Sequence, residues 1–199
     1  MNNIINCIKP YIINMKEIKY RTFLIQKELK KDKLEYWEIE FCCLQLRKIL
    51  ELILFSSLTA NTNLSSTNSK NFFTGWKIRE LITKIEAINP NFYPEPVKIN
   101  NSKNEINSIK NDFLTKKELL IVYQKVSKEI HIKNPFNKNK NKSLNKEYFK
   151  KITNKIVVLL ETHIARPFLP NELYLIFMNG NDNNVEYSRL IVQENISTK

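Results

Sequence analysis

Acid–base and phosphate chemistry in this chain falls to very few side chains. The histidines are His131 and His163, and the arginines are Arg21, Arg47, Arg79, Arg166 and Arg189. Arg47 stands out because of its surroundings. The segment Phe41 to Phe55 reads as a helix that is apolar almost all round, yet Arg47 and Glu51 sit one turn apart within it. A helix apolar on every side belongs in a core, and charges enter a core only when paired, because desolvation is costly. Glu40, Cys43, Arg47 and Glu51 share one face at spacings of three and four, with Lys48 in reach of Glu51. The segment therefore either buries an ion pair that fixes packing or lines a cleft. His131 and His163 each fall near the end of a predicted helix, each closely followed by proline, Pro135 and Pro167. Imidazole moves protons near neutral pH. Paired with Arg47, His131 would make a phosphodiester-cleaving constellation. The imidazole would handle the 2′-hydroxyl proton and the guanidinium would stabilise the pentacovalent phosphate, with Glu51 and His163 in support. The plainer alternatives are an ion-pair ladder on the helix and helix-terminal imidazoles bonded to carbonyls.

Other chemistries find no footing. Gly75 and Gly180 are the only glycines, which argues against glycine-dependent phosphate loops. No HExxH, paired-carboxylate or Cys/His spacing suggests a metal, and no cofactor is expected. Serines and cysteines lack a nucleophile context. Cys7, Cys42 and Cys43 are odd in number, and neighbours in a helix make a poor disulfide. Free thiols of a reducing cytoplasm are the expectation. The start lacks a basic segment before its apolar run, which Lys9-Pro10 interrupts, so it does not read as a signal peptide. Arg47, Lys48 and Glu51 would make the second helix a costly membrane span, so a soluble, cytoplasmic protein is expected, with no membrane partner.

The formal net charge of +12 points to an anionic partner such as nucleic acid, although heavy use of Lys, Asn and Ile is also what an AT-rich genome produces. Candidate phosphate contacts are Lys48, Lys125 and Lys128, with Lys138, Lys140 and Lys142 of a low-complexity basic loop. The aromatic residues follow helix stripes and read as core rather than as stacking platforms.

These residues must be positioned by helices. Hydrophobic periodicity predicts helices over Pro10 to Lys31, Leu34 to Ala60, Thr74 to Ile88, Lys116 to His131 and Lys146 to Ala165. In the first, Ile12, Met15, Ile18, Tyr20, Phe23, Leu24 and Leu29 form the inward stripe. In the second, Trp37, Phe41, Leu44, Leu50, Phe55 and Leu58 make most core contacts. Thr74 would cap the third, and Thr115 with Glu118 forms a capping box for the fourth. Asn61 to Asn71 reads as an exposed loop, Asn89 to Pro96 as a stiff extended strap, and Lys98 to Asp112 as a polar, mobile linker. Leu173 to Met178 and Val185 to Val192 flank an Asn-Gly turn and predict a hairpin. The expected fold is mainly α: a bundle of about five helices over residues 1–170, with a C-terminal β-hairpin over 171–199 packed on it.

Four phrases carry a resemblance: Leu46-Arg47-Lys48-Ile49-Leu50-Glu51-Leu52-Ile53, Asn89-Pro90-Asn91-Phe92-Tyr93-Pro94, His131-Ile132-Lys133-Asn134-Pro135-Phe136 and Leu159-Leu160-Glu161-Thr162-His163. Together, over about Glu35 to Val192, the chain resembles a group of uncharacterised bacterial helical proteins. More broadly it resembles HEPN domains, small helical bundles that often serve as ribonucleases of toxin–antitoxin and phage-defence systems and carry Arg-x(4–6)-His in a late helix. Here Lys125 and Lys128 precede His131 with no arginine at that spacing, so Arg47 would have to supply the charge from another helix. The resemblance implies an RNA-interacting helical module, a metal-independent endoribonuclease if it is catalytic, with RNA as partner. The alternative expectation is a non-enzymatic scaffold or homodimerisation protein that uses the hairpin edge.

Overall fold

The computed structural model describes residues 5–61, 77–131, 144–167 and 172–191, with the side chains of residues 5–7 and 61 excepted. The predicted cap at Thr74, nearly all of the Asn61–Asn71 loop, and Lys138, Lys140 and Lys142 lie outside the described residues. Helices α1 (Ile5–Glu28), α2 (Tyr36–Asn61), α3 (Ile78–Ile88), α4 (Lys116–Ile130) and α5 (Lys146–Leu160) are joined by strands β1 (Glu95–Asn100), β2 (Glu105–Ser108), β3 (Thr162–Ala165), β4 (Glu172–Phe177) and β5 (Glu186–Ile191).

The expected bundle with one terminal hairpin is corrected. The strands form a single antiparallel sheet in the order β2-β1-β3-β4-β5. The predicted hairpin is real as β4–β5, but it is one side of a larger sheet. The other three strands come from segments read as strap, linker and helix end. The fifth helix stops at Leu160, five residues short of its predicted end, because Thr162–Ala165 pairs with both β1 and β4. Thr and Ile favour the extended backbone there, and Pro167 keeps Arg166 out of the helical region.

α2 is the central helix. Cys42, Cys43, Leu46, Ile49, Leu50, Ile53 and Leu54 are fully buried, and α1 and α4 flank it. α1 begins at Ile5 rather than at Pro10, so Pro10 lies inside it and one rung of its hydrogen-bond ladder has no donor. Its buried stripe is Ile8, Tyr11, Met15, Ile18, Thr22 and Ile25, alternating three and four residues apart. α4 opens with the predicted capping box. The Thr115 hydroxyl accepts from the Glu118 amide at 3.2 Å, and the Glu118 carboxylate accepts from the Thr115 amide at 3.1 Å. Before the strap becomes β1 at Glu95 it is anchored by buried Phe92 and by the Tyr93 hydroxyl, which donates to the Leu114 carbonyl at 2.8 Å.

The two faces of the sheet differ. Residues paired directly across an antiparallel sheet share a face. The row Pro96, His163 and Ile176 faces inward and ends at the exposed Tyr187 of the edge strand, and Ala165, Tyr174 and Ile176 join the helical core. The opposite face carries a separate cluster of Val97, Ile164 and Leu175, bordered by Ile99, Leu173, Phe177 and Leu190.

Candidate functional site

The expected cluster separates into two places. Arg47 is half-buried rather than interior, and its Nε donates to Glu51 Oε1 at 3.1 Å. The same carboxylate oxygen accepts from the Tyr123 hydroxyl of α4 at 3.0 Å, and the guanidinium lies 5.3 Å from the centre of the Tyr123 ring. Burial opposes the Arg47 charge, but Glu51 and Tyr123 more than offset it. Burial and then the Glu51 carboxylate hold the Tyr123 phenol above its ordinary value, so it stays a donor. The arrangement is a neutralised ion pair stacked on an aromatic ring, and it ties α2 to α4.

His131 is exposed at the C-cap of α4, eight residues beyond Tyr123. At the helical rise, that offset is about 12 Å along the axis. His163 is elsewhere, completely buried on β3. Its Nδ1 lies 2.8 Å from the Leu160 carbonyl oxygen, which can only accept, so Nδ1 carries the proton. Nε2 is then an acceptor and takes the proton of the Tyr11 hydroxyl, 2.8 Å away on α1. Burial pushes His163 down to about 4 and the Tyr11 phenol upward, so both are neutral at physiological pH. With both ring nitrogens engaged and no exposed surface, His163 joins helix to sheet and has no access to substrate.

Of the candidate lysines, Lys48 is exposed on α2 and Lys128 is exposed in the last turn of α4. Lys125 sits 5.5 Å from the centre of the Tyr148 ring. Cys42 and Cys43 are buried free thiols, pushed up to about 12 chiefly by burial. Among the described residues no three His, Cys, Asp or Glu side chains gather as metal ligands, and no helix is long and apolar enough to cross a membrane.

A surface that periodicity alone misassigned is more informative. Tyr20 and Phe23, expected in the core, are 58% and 55% exposed. At about 100° per residue they point away from the buried stripe of α1. They share that outer side with Ile13, Lys9, Lys16 and Lys27, all exposed. Among the described residues none of these three lysines has an ion-pair partner, while Glu17, the nearby acid, is taken by Arg21 at 2.5 Å. One outward face of α1 thus carries three cations and two large rings over five turns. α2 lies between α1 and α4, so this face is remote from Lys125 and Lys128.

Beside this stripe lies a cleft of about 290 Å³ between α1, α5 and the β4–β5 connection. Phe23 belongs to both. Ile18, Ile156, Leu160 and Met178 give the cleft an apolar floor, and Gln26, Glu161, Asn179 and Asn183 border it. Lys19 closes one end. Its ammonium donates to the Met178 carbonyl at 2.8 Å, the Asn183 carbonyl at 2.6 Å and Asn183 Oδ1 at 2.7 Å. All three donors are used in holding the turn, where Asp182 and Asn183 take positive φ.

Compared with known proteins, the chain matches no family model, no curated protein and no solved structure.

Proposed function

We propose that this protein binds single-stranded RNA along the outer face of α1, without cleaving it. The observation that supports this is that exposed Lys9, Lys16 and Lys27, without ion-pair partners among the described residues, share one face with exposed Tyr20 and Phe23. Cations neutralise phosphates and release counterions, and rings exposed beside them stack on unpaired bases of any identity. A duplex offers no free base faces, so single strands are the preferred form. The net charge of +12 adds a long-range attraction for any polyanion.

Cleavage would require a guanidinium and an imidazole at a common phosphate. Arg47 is matched by Glu51, and His131 lies about a 12 Å helical rise from the ring that Arg47 stacks on. Binding by α1 needs neither residue. Fluorescence anisotropy with a labelled single strand and its duplex tests the binding, and a gel of the same mixtures tests for cleavage. The expected result is tighter binding of the single strand with the RNA intact. Equal binding of duplex contradicts the stacking account. Cleavage abolished by both Arg47→Ala and His131→Ala replaces it with the HEPN-like ribonuclease reading.

A second reading, self-association, is favoured by one observation. β5 is an edge strand, and it exposes Tyr187 and Ile191. Unpaired edges accept another strand. Light scattering of the protein and of Ile191→Lys distinguishes a dimer built on this edge from a monomer.

A further inference from the structure

The cleft beside Phe23 has a chemistry that selects its occupant, and we propose that it holds a guanine base. This rests on the single-strand reading for how a base is delivered, but the pocket has its own chemistry. Its floor is apolar, and its volume of about 290 Å³ is at the small end for a ligand site, enough for one flat heterocycle. Phe23, 55% exposed and part of the cleft lining, offers a ring to stack against.

A phosphate is disfavoured here. Lys19, the only cation lining the cleft, keeps its charge but spends its three donors on Met178 and Asn183, so it has no N–H to offer a phosphate, and the Glu161 carboxylate sets an opposing negative charge in the same lining. A carboxylate repels phosphate but accepts hydrogen bonds from adjacent N–H groups. Among the described residues the Glu161 carboxylate has no hydrogen bond or ion pair, and the side-chain amides of Gln26 and Asn179 are equally uncommitted. Only the backbone of Glu161 is used, its N–H donating to the Val157 carbonyl at 2.8 Å and its carbonyl accepting from the Met178 amide at 2.9 Å. Among the common RNA bases, guanine presents two neighbouring donors, N1–H and the N2 amino group, which match the two oxygens of a carboxylate. The amides of Gln26 and Asn179 can then donate to O6 or N7. Adenine and cytosine each present one amino group beside an acceptor that a carboxylate would repel, and uracil presents a single N–H between two carbonyls.

The test uses the full chain and two probes. Guanosine and adenosine are titrated separately by calorimetry, and a labelled uridine decamer is titrated by anisotropy. The expected result is guanosine binding at least tenfold tighter than adenosine, the size of one good bidentate contact, and loss of that preference in Glu161→Gln. Equal affinity for the two nucleosides, or a preference unchanged in Glu161→Gln, overturns the guanine pocket. Decamer binding with no guanosine binding removes the pocket and leaves the α1 surface standing. Guanosine binding with no decamer binding supports the pocket and removes the surface. Failure of both probes removes both.

Discussion

Replacing Tyr20 and Phe23 together by alanine lowers affinity for a single-stranded oligonucleotide about 30-fold or more. Each stacked base contributes on the order of 1–3 kcal/mol by alanine substitution, so two lost platforms cost about 2 kcal/mol at the least. The same change leaves stability nearly untouched. Both rings are more than half exposed, and surface substitutions usually stay within about 0.5 kcal/mol. That contrast is what makes the experiment informative, since a core aromatic could not be removed without unfolding. Urea denaturation of the double variant, run beside anisotropy titrations, measures both quantities. A fall in stability of about 3 kcal/mol, or unchanged affinity, would show that these rings serve packing instead of ligand.

The second large effect is on stability at acid pH. His163 is neutral inside the fold, with its value pushed down to about 4 from 6.5 by burial. Between those two values the unfolded chain holds a proton that the folded chain does not, so falling pH favours unfolding. Above pH 6.5 neither state is protonated and this group adds no pH dependence. Below about pH 4 both are protonated and the loss is complete. A shift of this size corresponds to about 3 kcal/mol lost between pH 6.5 and 4. Tyr11→Phe leaves Nε2 buried without a donor, at a cost of about 1–3 kcal/mol at neutral pH. Chemical denaturation across pH 4 to 7 of the native protein and of His163→Gln isolates the contribution. The native protein should show the steeper loss in this window; parallel curves would mean that His163 takes up its proton without disturbing the fold. Should the glutamine variant not fold, the imidazole proton shifts of the native protein read the same titration directly.

Particular residues explain how far the sequence was readable. α4 was legible because Thr115 and Glu118 sit at capping-box spacing before an apolar stripe, a wholly local signal. α2 is legible as one long apolar run, although Trp37 and Leu44, read as core contacts, are 62% and 40% exposed. The sheet was not. β2 is exposed throughout and has one large apolar residue, Ile106. β1 contains Pro96, which has no N–H for a ladder. β3 has four residues, too few to display an alternation, and adjoins a helix with no break in between except Glu161. Their pairing is decided by partners far along the chain, which no local window contains. The α1 surface was obscured by a phase error. Ile12, Tyr20, Phe23 and Leu24 fit a loose stripe, but the buried one runs through Ile8, Tyr11, Met15, Ile18, Thr22 and Ile25. Admitting Thr22 to the stripe in place of Phe23 would have turned the two rings outward. Trp37 was misassigned in the same way and is 62% exposed, beside Lys31. Arg47 and Glu51 were correctly seen as partners, but their neighbour Tyr123 lies 72 residues from Glu51 and came only with the fold.

The most direct test is to ask where an RNA strand touches the protein. Ultraviolet crosslinking of a bound single strand, followed by digestion and mass spectrometry, reports the contacting peptide. The expected adducts are on α1, at Tyr20 or Phe23. Adducts confined to α4, near Lys125, Lys128 and His131, would contradict a binding face on α1 and move RNA recognition to the opposite flank of the central helix.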